Sequence, residues 1–161
     1  MPPWRFLAAA VVLAGAVGCK SEDPPRPTPE PRPVPVEIVA APATGDVQEI
    51  VRAEHVRARA DGRPLLVYVG AAWCEPCQRF HQAAKDGQVD ALFPGLRLVE
   101  FDLDRDRERL IQAGYASKMI PLFAVPREDG TASGKQIEGS IKGPGAVAQI
   151  TPRLEELLSG P

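Results

Sequence analysis

The sequence is poor in the residues that build metal centres and cross-linked scaffolds: among 161 residues it has 2 histidines and 3 cysteines. Three cysteines are too few to staple a small exported fold that lacks a core. Charge of one sign is also missing. The chain carries 19 Lys+Arg against 21 Asp+Glu, a formal net charge of −2, and residues 45–161 carry 15 against 17. Without a positive field to hold a phosphate backbone, nucleic acid is not an expected partner. No apolar run reaches the roughly 20 residues that cross a bilayer as a helix; the longest, Phe6 to Gly18, has 13. Proline is plentiful at 18, but 8 of these fall between Pro24 and Pro42. Elsewhere the composition is that of a globular domain, with 44% hydrophobic and 25% charged residues, which excludes collagen-like and wholly disordered chains.

Met1 to Arg5 is a short amino end with one positive charge, and the stretch FLAAAVVLAGAVG that follows has signal-peptide length. It ends in small residues and meets Cys19. Ala16-Val17-Gly18-Cys19 resembles a bacterial lipoprotein signal, departing from it at the first position, where leucine is usual. The resemblance implies cleavage after residue 18 and lipidation of Cys19, whose two acyl chains suffice for stable anchoring. It places the domain in the bacterial cell envelope, facing the periplasm or the exterior. An ordinary secretory signal, with Cys19 lost or left free, is the alternative; both readings export the domain. Residues 19–44 form a Pro-rich linker in which proline at almost every second position favours polyproline II. Its eleven residues from Pro25 to Pro35 span about 35 Å when extended. Val36-Glu37-Ile38-Val39 is also open to reading as a first edge strand.

The domain proper is expected over residues 45–161. Asp46 to Ala60 reads as an amphipathic helix, and Leu65 to Val69 as a β-prone run buried on both faces, hence a central strand. A second helix runs from the Cys-Glu-Pro-Cys turn to about Lys85, and Leu96 to Leu103 is another strand. A helix over Asp104 to Ala113 precedes a strand over Leu122 to Val125, a turn over Arg127 to Lys135 and a hairpin partner over Gln136 to Ile141. A helix over Ala146 to Leu158 closes the chain. Helices alternating with buried strands predict an α/β fold of three layers, a central mixed sheet with helices on both faces.

Cys74 and Cys77 stand directly after a buried strand and at a helix start. Residues i and i+3 there bring their Cα atoms within disulfide range, and the helix amino terminus lowers the pKa of the first cysteine, generating a nucleophilic thiolate. Pro76 fits a first turn that does not need its amide. A structural zinc site lacks two further ligands at finger-like spacing, since only His55 and His81 exist; haem attachment fails because residue 78 is Gln. Copper delivery, with His81 or Met119, and an inert structural disulfide remain as other readings. No metal and no small-molecule cofactor are expected.

Residues 46–158 resemble the thioredoxin family on the strength of Trp73-Cys74-Glu75-Pro76-Cys77 after the strand LLVYV, Ile120-Pro121 forty-four residues past Cys77, and Gly139 in the last strand. The stretch YVGAAWCEPCQRF looks most similar to periplasmic, membrane-linked disulfide reductases. What this implies is a thiol–disulfide oxidoreductase in which Cys74 is the exposed attacking thiolate and Cys77 the resolving thiol. Trp73, Ile120 and a cis Pro121 would then face the client. Protein disulfides are the implied substrates, and a membrane electron donor the implied partner. Glu75, beside the thiolate, tilts the couple toward the reducing end. Two departures stand out: Tyr68 occupies the position of the family's buried aspartate, and Glu100 that of its paired lysine. Glu100 is therefore a candidate substitute acid beneath Cys77, or else a solvated carboxylate. The run Asp102 to Arg109 is expected to be a solvated helix start. From a different class, a non-catalytic lipoprotein of the same fold that holds a client is the alternative.

Overall fold

The computed structural model describes residues 32–160. The leader, Cys19 and the Pro-rich stretch before residue 32 lie outside the described residues. The elements are β1 (Glu37–Ala40), α1 (Val47–Ala60), β2 (Leu65–Gly70), α2 (Glu75–Lys85), β3 (Arg97–Asp102), α3 (Leu103–Gln112), β4 (Leu122–Pro126), β5 (Ala132–Glu138) and α4 (Ala146–Ser159). They build one five-stranded sheet in the order β1-β3-β2-β4-β5. β1, β3 and β2 run parallel, and β4 and β5 complete the sheet antiparallel. The expected three-layer α/β arrangement is present.

Side-chain alternation along β2 divides the core. Leu65, Val67 and Val69 enter one apolar cluster with Val47, Val51 and Ala58 of α1 and Leu110 of α3. Leu66 and Tyr68 point the other way, into a cluster with Phe80 of α2 and Ile150 and Leu154 of α4. All six residues of β2 are buried, because a central parallel strand is covered by helices on both faces. Each large side chain so buried contributes about 1.5–3 kcal/mol, and this burial fixes the strand on whose end the site is built.

Of the two readings of residues 36–39, linker and first edge strand, the edge strand is present as β1: its Ile38 pairs with Leu98 and its Val39 with Val99 of β3. The proline run ends at Pro35, and the β-branched residues after it are free to join a sheet edge. The β4–β5 turn is shorter than expected, closing over Arg127–Thr131 with the Arg127 amide on the Thr131 carbonyl at 2.7 Å. β5 therefore starts at Ala132, and a register shift opposite Ala124 and Pro126 absorbs Gly134, whose φ is +88°. The polar, Gly-containing sequence there reads as a turn although it forms a bulged edge strand. Gly139 consequently follows β5 rather than lying in it.

The run Asp102 to Arg109 is not simply solvated. Asp106 is fully buried and accepts from Arg105 Nη2 at 2.8 Å, Arg109 Nη2 at 2.8 Å and the Asp102 amide at 3.0 Å. Burial alone would raise its pKa, but these three bonds outweigh it and hold the carboxyl below the usual aspartate range. The arginines extend the clamp to the segment after β1, where Arg109 donates to the carbonyls of Pro42 and Gly45.

Candidate active site

β2 delivers the chain to the site through Gly70. A Cβ on this residue would stand 3.0 Å from the Tyr68 hydroxyl and 3.5 Å from Cys77 Cβ, so the glycine lets strand and helix approach closely. After a short turn, Cys74 caps α2 with extended angles (φ −82°, ψ 101°), and its Sγ accepts from the Cys77 amide at 3.3 Å. Pro76 occupies the first turn, where its missing amide costs nothing. Cys74 and Cys77 form a disulfide with a Cα–Cα separation of 5.2 Å. The sulfur of Cys74 thus sits where free helix amides and the positive end of the dipole favour a thiolate once the bond is reduced.

The expectation of an exposed Cys74 is corrected. Cys74 is 4% exposed and Cys77 3%, because the capping geometry turns Sγ back toward the helix and Ile120 packs against the cluster holding both cysteines. Trp73, by contrast, is 65% exposed and its Nε1–H donates to Asp104 Oδ2 at 2.8 Å. The Ile120–Pro121 peptide is cis. Trp73 and Ile120 line a groove of about 330 Å³ together with Met119 and Leu103, while Pro121 is buried and not among its lining residues. Met119, 59% exposed, was missed as a groove residue; its place beside Ile120-Pro121 was the available signal.

Glu75 is held by a cation and a backbone amide. It pairs with Arg79 Nη2 at 2.8 Å and accepts from the Gly143 amide at 3.3 Å. The Arg79 hydrogen bond, the largest influence, holds its carboxyl below the usual glutamate range. On the opposite side of α2 a cavity of about 450 Å³ is bordered by Cys77, Tyr68, His81 and Glu100. Glu100 is neither free beneath Cys77 nor simply solvated: its Oε1 lies 2.6 Å from His81 Nε2. Tyr68 is fully buried, and its hydroxyl has no hydrogen-bond partner among the described residues. Burial first, and the Glu100 carboxylate second, push its phenol well above the ordinary tyrosine range. Among the described residues no three His, Cys, Asp or Glu side chains gather as a metal site would require.

A family profile described as Thioredoxin-like matches residues 48–126, a span that runs from α1 through the disulfide to the cis proline and β4. Residues 48–126 form a thioredoxin-like domain. Among solved structures, the chain is similar to a poplar thioredoxin h at 18% identity and a TM-score of 0.43, over 78% of this chain and 98% of that one. It is likewise similar to thioredoxin O2 from Arabidopsis thaliana in the oxidized state, at 18% identity and a TM-score of 0.42, over 75% and 94% of the two chains. Thioredoxin O1 from the same plant gives 17% and 0.39, over 66% and 87%. No curated protein matches the chain.

Proposed function

We propose that the protein is an extracytoplasmic thiol–disulfide oxidoreductase, anchored to the bacterial envelope through a lipidated Cys19, that reduces disulfides in client proteins. The observation that carries this reading is the Cys74 sulfur held on the free amide of Cys77 at the head of α2. That position supplies a nucleophilic thiolate and, three residues on, the thiol that releases the client. Trp73 and Ile120, which line the groove with Met119, and the buried Pro121 next to Ile120 in the chain, are the residues proposed to seat the client. With Cys74 so little exposed, exchange requires a partner that fits this groove.

The reducing direction rests on Glu75. Its carboxylate stays ionised one residue from Cys74 and disfavours a thiolate there, although the pairing with Arg79 softens the effect. A reductant outside the cytoplasm needs a membrane dithiol donor to recharge it, and the proline-rich linker gives the domain reach to meet one. The measurement is the reduction potential of Cys74–Cys77 against dithiothreitol and glutathione. A value below about −230 mV supports the reductant; one near −120 mV makes the protein an oxidant. The burial of Cys74 favours one other reading, a non-catalytic holder of a client. If the disulfide fails to exchange with either thiol buffer in the folded state, that reading replaces the first.

A further inference from the structure

We infer that His81, oriented by Glu100, is the base that accepts the proton of Cys77 when the mixed disulfide is resolved. This rests on the thiol–disulfide reading above. Cys77 and His81 are four residues apart on α2, a spacing that stacks two side chains on one helix face with Cβ atoms roughly 6 Å apart, and both border the same cavity. The His81–Glu100 contact at 2.6 Å decides which ring nitrogen is available. A carboxylate only accepts, so Nε2 carries the hydrogen and Nδ1 keeps its lone pair. No donor among the described residues reaches Nδ1. A thiol, an imidazole and an orienting carboxylate in series are the parts by which a cysteine is activated through a neighbouring base.

The other groups facing His81 are ill suited to the task. Tyr68, from β2, holds its proton because it is buried. Lys85, from the same helix, is a cation. Asp102, from β3, is engaged by the amides of Asp104 and Arg105 at the start of α3, and Arg105 is bound to Asp106. Only His81 is an imidazole with one ring nitrogen free to accept a proton. In the first step the Cys74 thiolate attacks a client disulfide, and one client sulfur leaves as a thiolate. In the second, Cys77 gives its proton to His81 Nδ1 and attacks Cys74 Sγ. The bond between Cys74 and the client breaks, the second client sulfur leaves as a thiolate, and His81 returns its proton to it through solvent. The client gains two electrons, which the cysteine pair loses in forming its disulfide.

The test is single-turnover reduction of insulin by the dithiothreitol-reduced chain, with the mixed disulfide trapped by acid quench and followed by mass spectrometry from pH 5.5 to 9. In the unmodified protein, resolution should rise to a plateau near pH 7. His81→Gln should leave formation of the mixed disulfide within about twofold and slow its resolution about 100-fold at pH 7. The remaining rate should then climb about tenfold per pH unit, as attack by the growing thiolate fraction requires. Glu100→Gln should keep the plateau but move its midpoint to lower pH, since the imidazolium loses its carboxylate, and this variant carries the test if His81→Gln does not fold. Wild-type rates and pH profiles in the variants would overturn the role of His81. An unmodified chain that never forms the mixed disulfide would overturn the exchange reading itself, and with it this role.

Discussion

Replacing Asp106 with Asn removes a charge that two arginines converge on, in a fully buried position. Removing one partner of a buried ion pair usually costs about 3–5 kcal/mol, because the other charge is left uncompensated. Here Arg105 is 42% exposed and can turn to water, whereas Arg109 is only 17% exposed. The Asn oxygen still accepts from the Asp102 amide. The low end, about 3 kcal/mol, is therefore expected at pH 7, a fall in Tm of roughly 10 °C for a domain of this size. The pH dependence supplies a second, sharper reading. A carboxyl whose folded pKa is depressed stabilises the protein above its unfolded value of about 3.9, and that contribution is lost as pH falls through the folded value. Urea denaturation of wild type and Asp106→Asn should thus show a gap of about 3 kcal/mol at pH 7 that closes in acid, below the depressed folded value, as wild type loses its advantage. A gap under about 1 kcal/mol at pH 7, or one that does not shrink on acidification, would refute the argument that the buried charge clamps α3.

Tyr68→Phe removes a buried hydroxyl without a partner, so the oxidised protein should gain about 1–2 kcal/mol in thermal or chemical denaturation; a loss of similar size would mean that the hydroxyl is bonded after all. Gly130→Ala should cost more than about 2 kcal/mol, since its φ is +88° and an added Cβ would stand 2.0 Å from the Gln48 carbonyl oxygen of α1. Gly134→Ala, with the same φ and open space around it, should cost only the left-handed strain of about 1–2 kcal/mol, so equal losses in the two variants would remove the close approach as the cause.

The local signals were legible because they are written in consecutive residues. A continuous run of β-prone side chains can only be a strand covered on both faces, and Leu65 to Gly70 is that strand. A pair of cysteines spaced by two residues at a helix start meets disulfide geometry by the pitch of the helix alone, and Cys74 and Cys77 do. Proline has no amide to give a ladder, and β1 begins only after Pro35. Tertiary structure decided what depends on residues far apart in sequence. Arg105 and Arg109 read as solvated cations until the return of the β1 segment buries Asp106 between them. His81, one turn past Cys77, has no assigned orientation in the sequence until parallel pairing sets Tyr68 opposite Glu100 and brings that carboxylate to the imidazole ring. Even the burial of Cys74 was decided there, by the apolar cluster that closes around both cysteines. Periodicity fixes which residues face inward; only the packing of elements fixes which inward-facing polar groups meet.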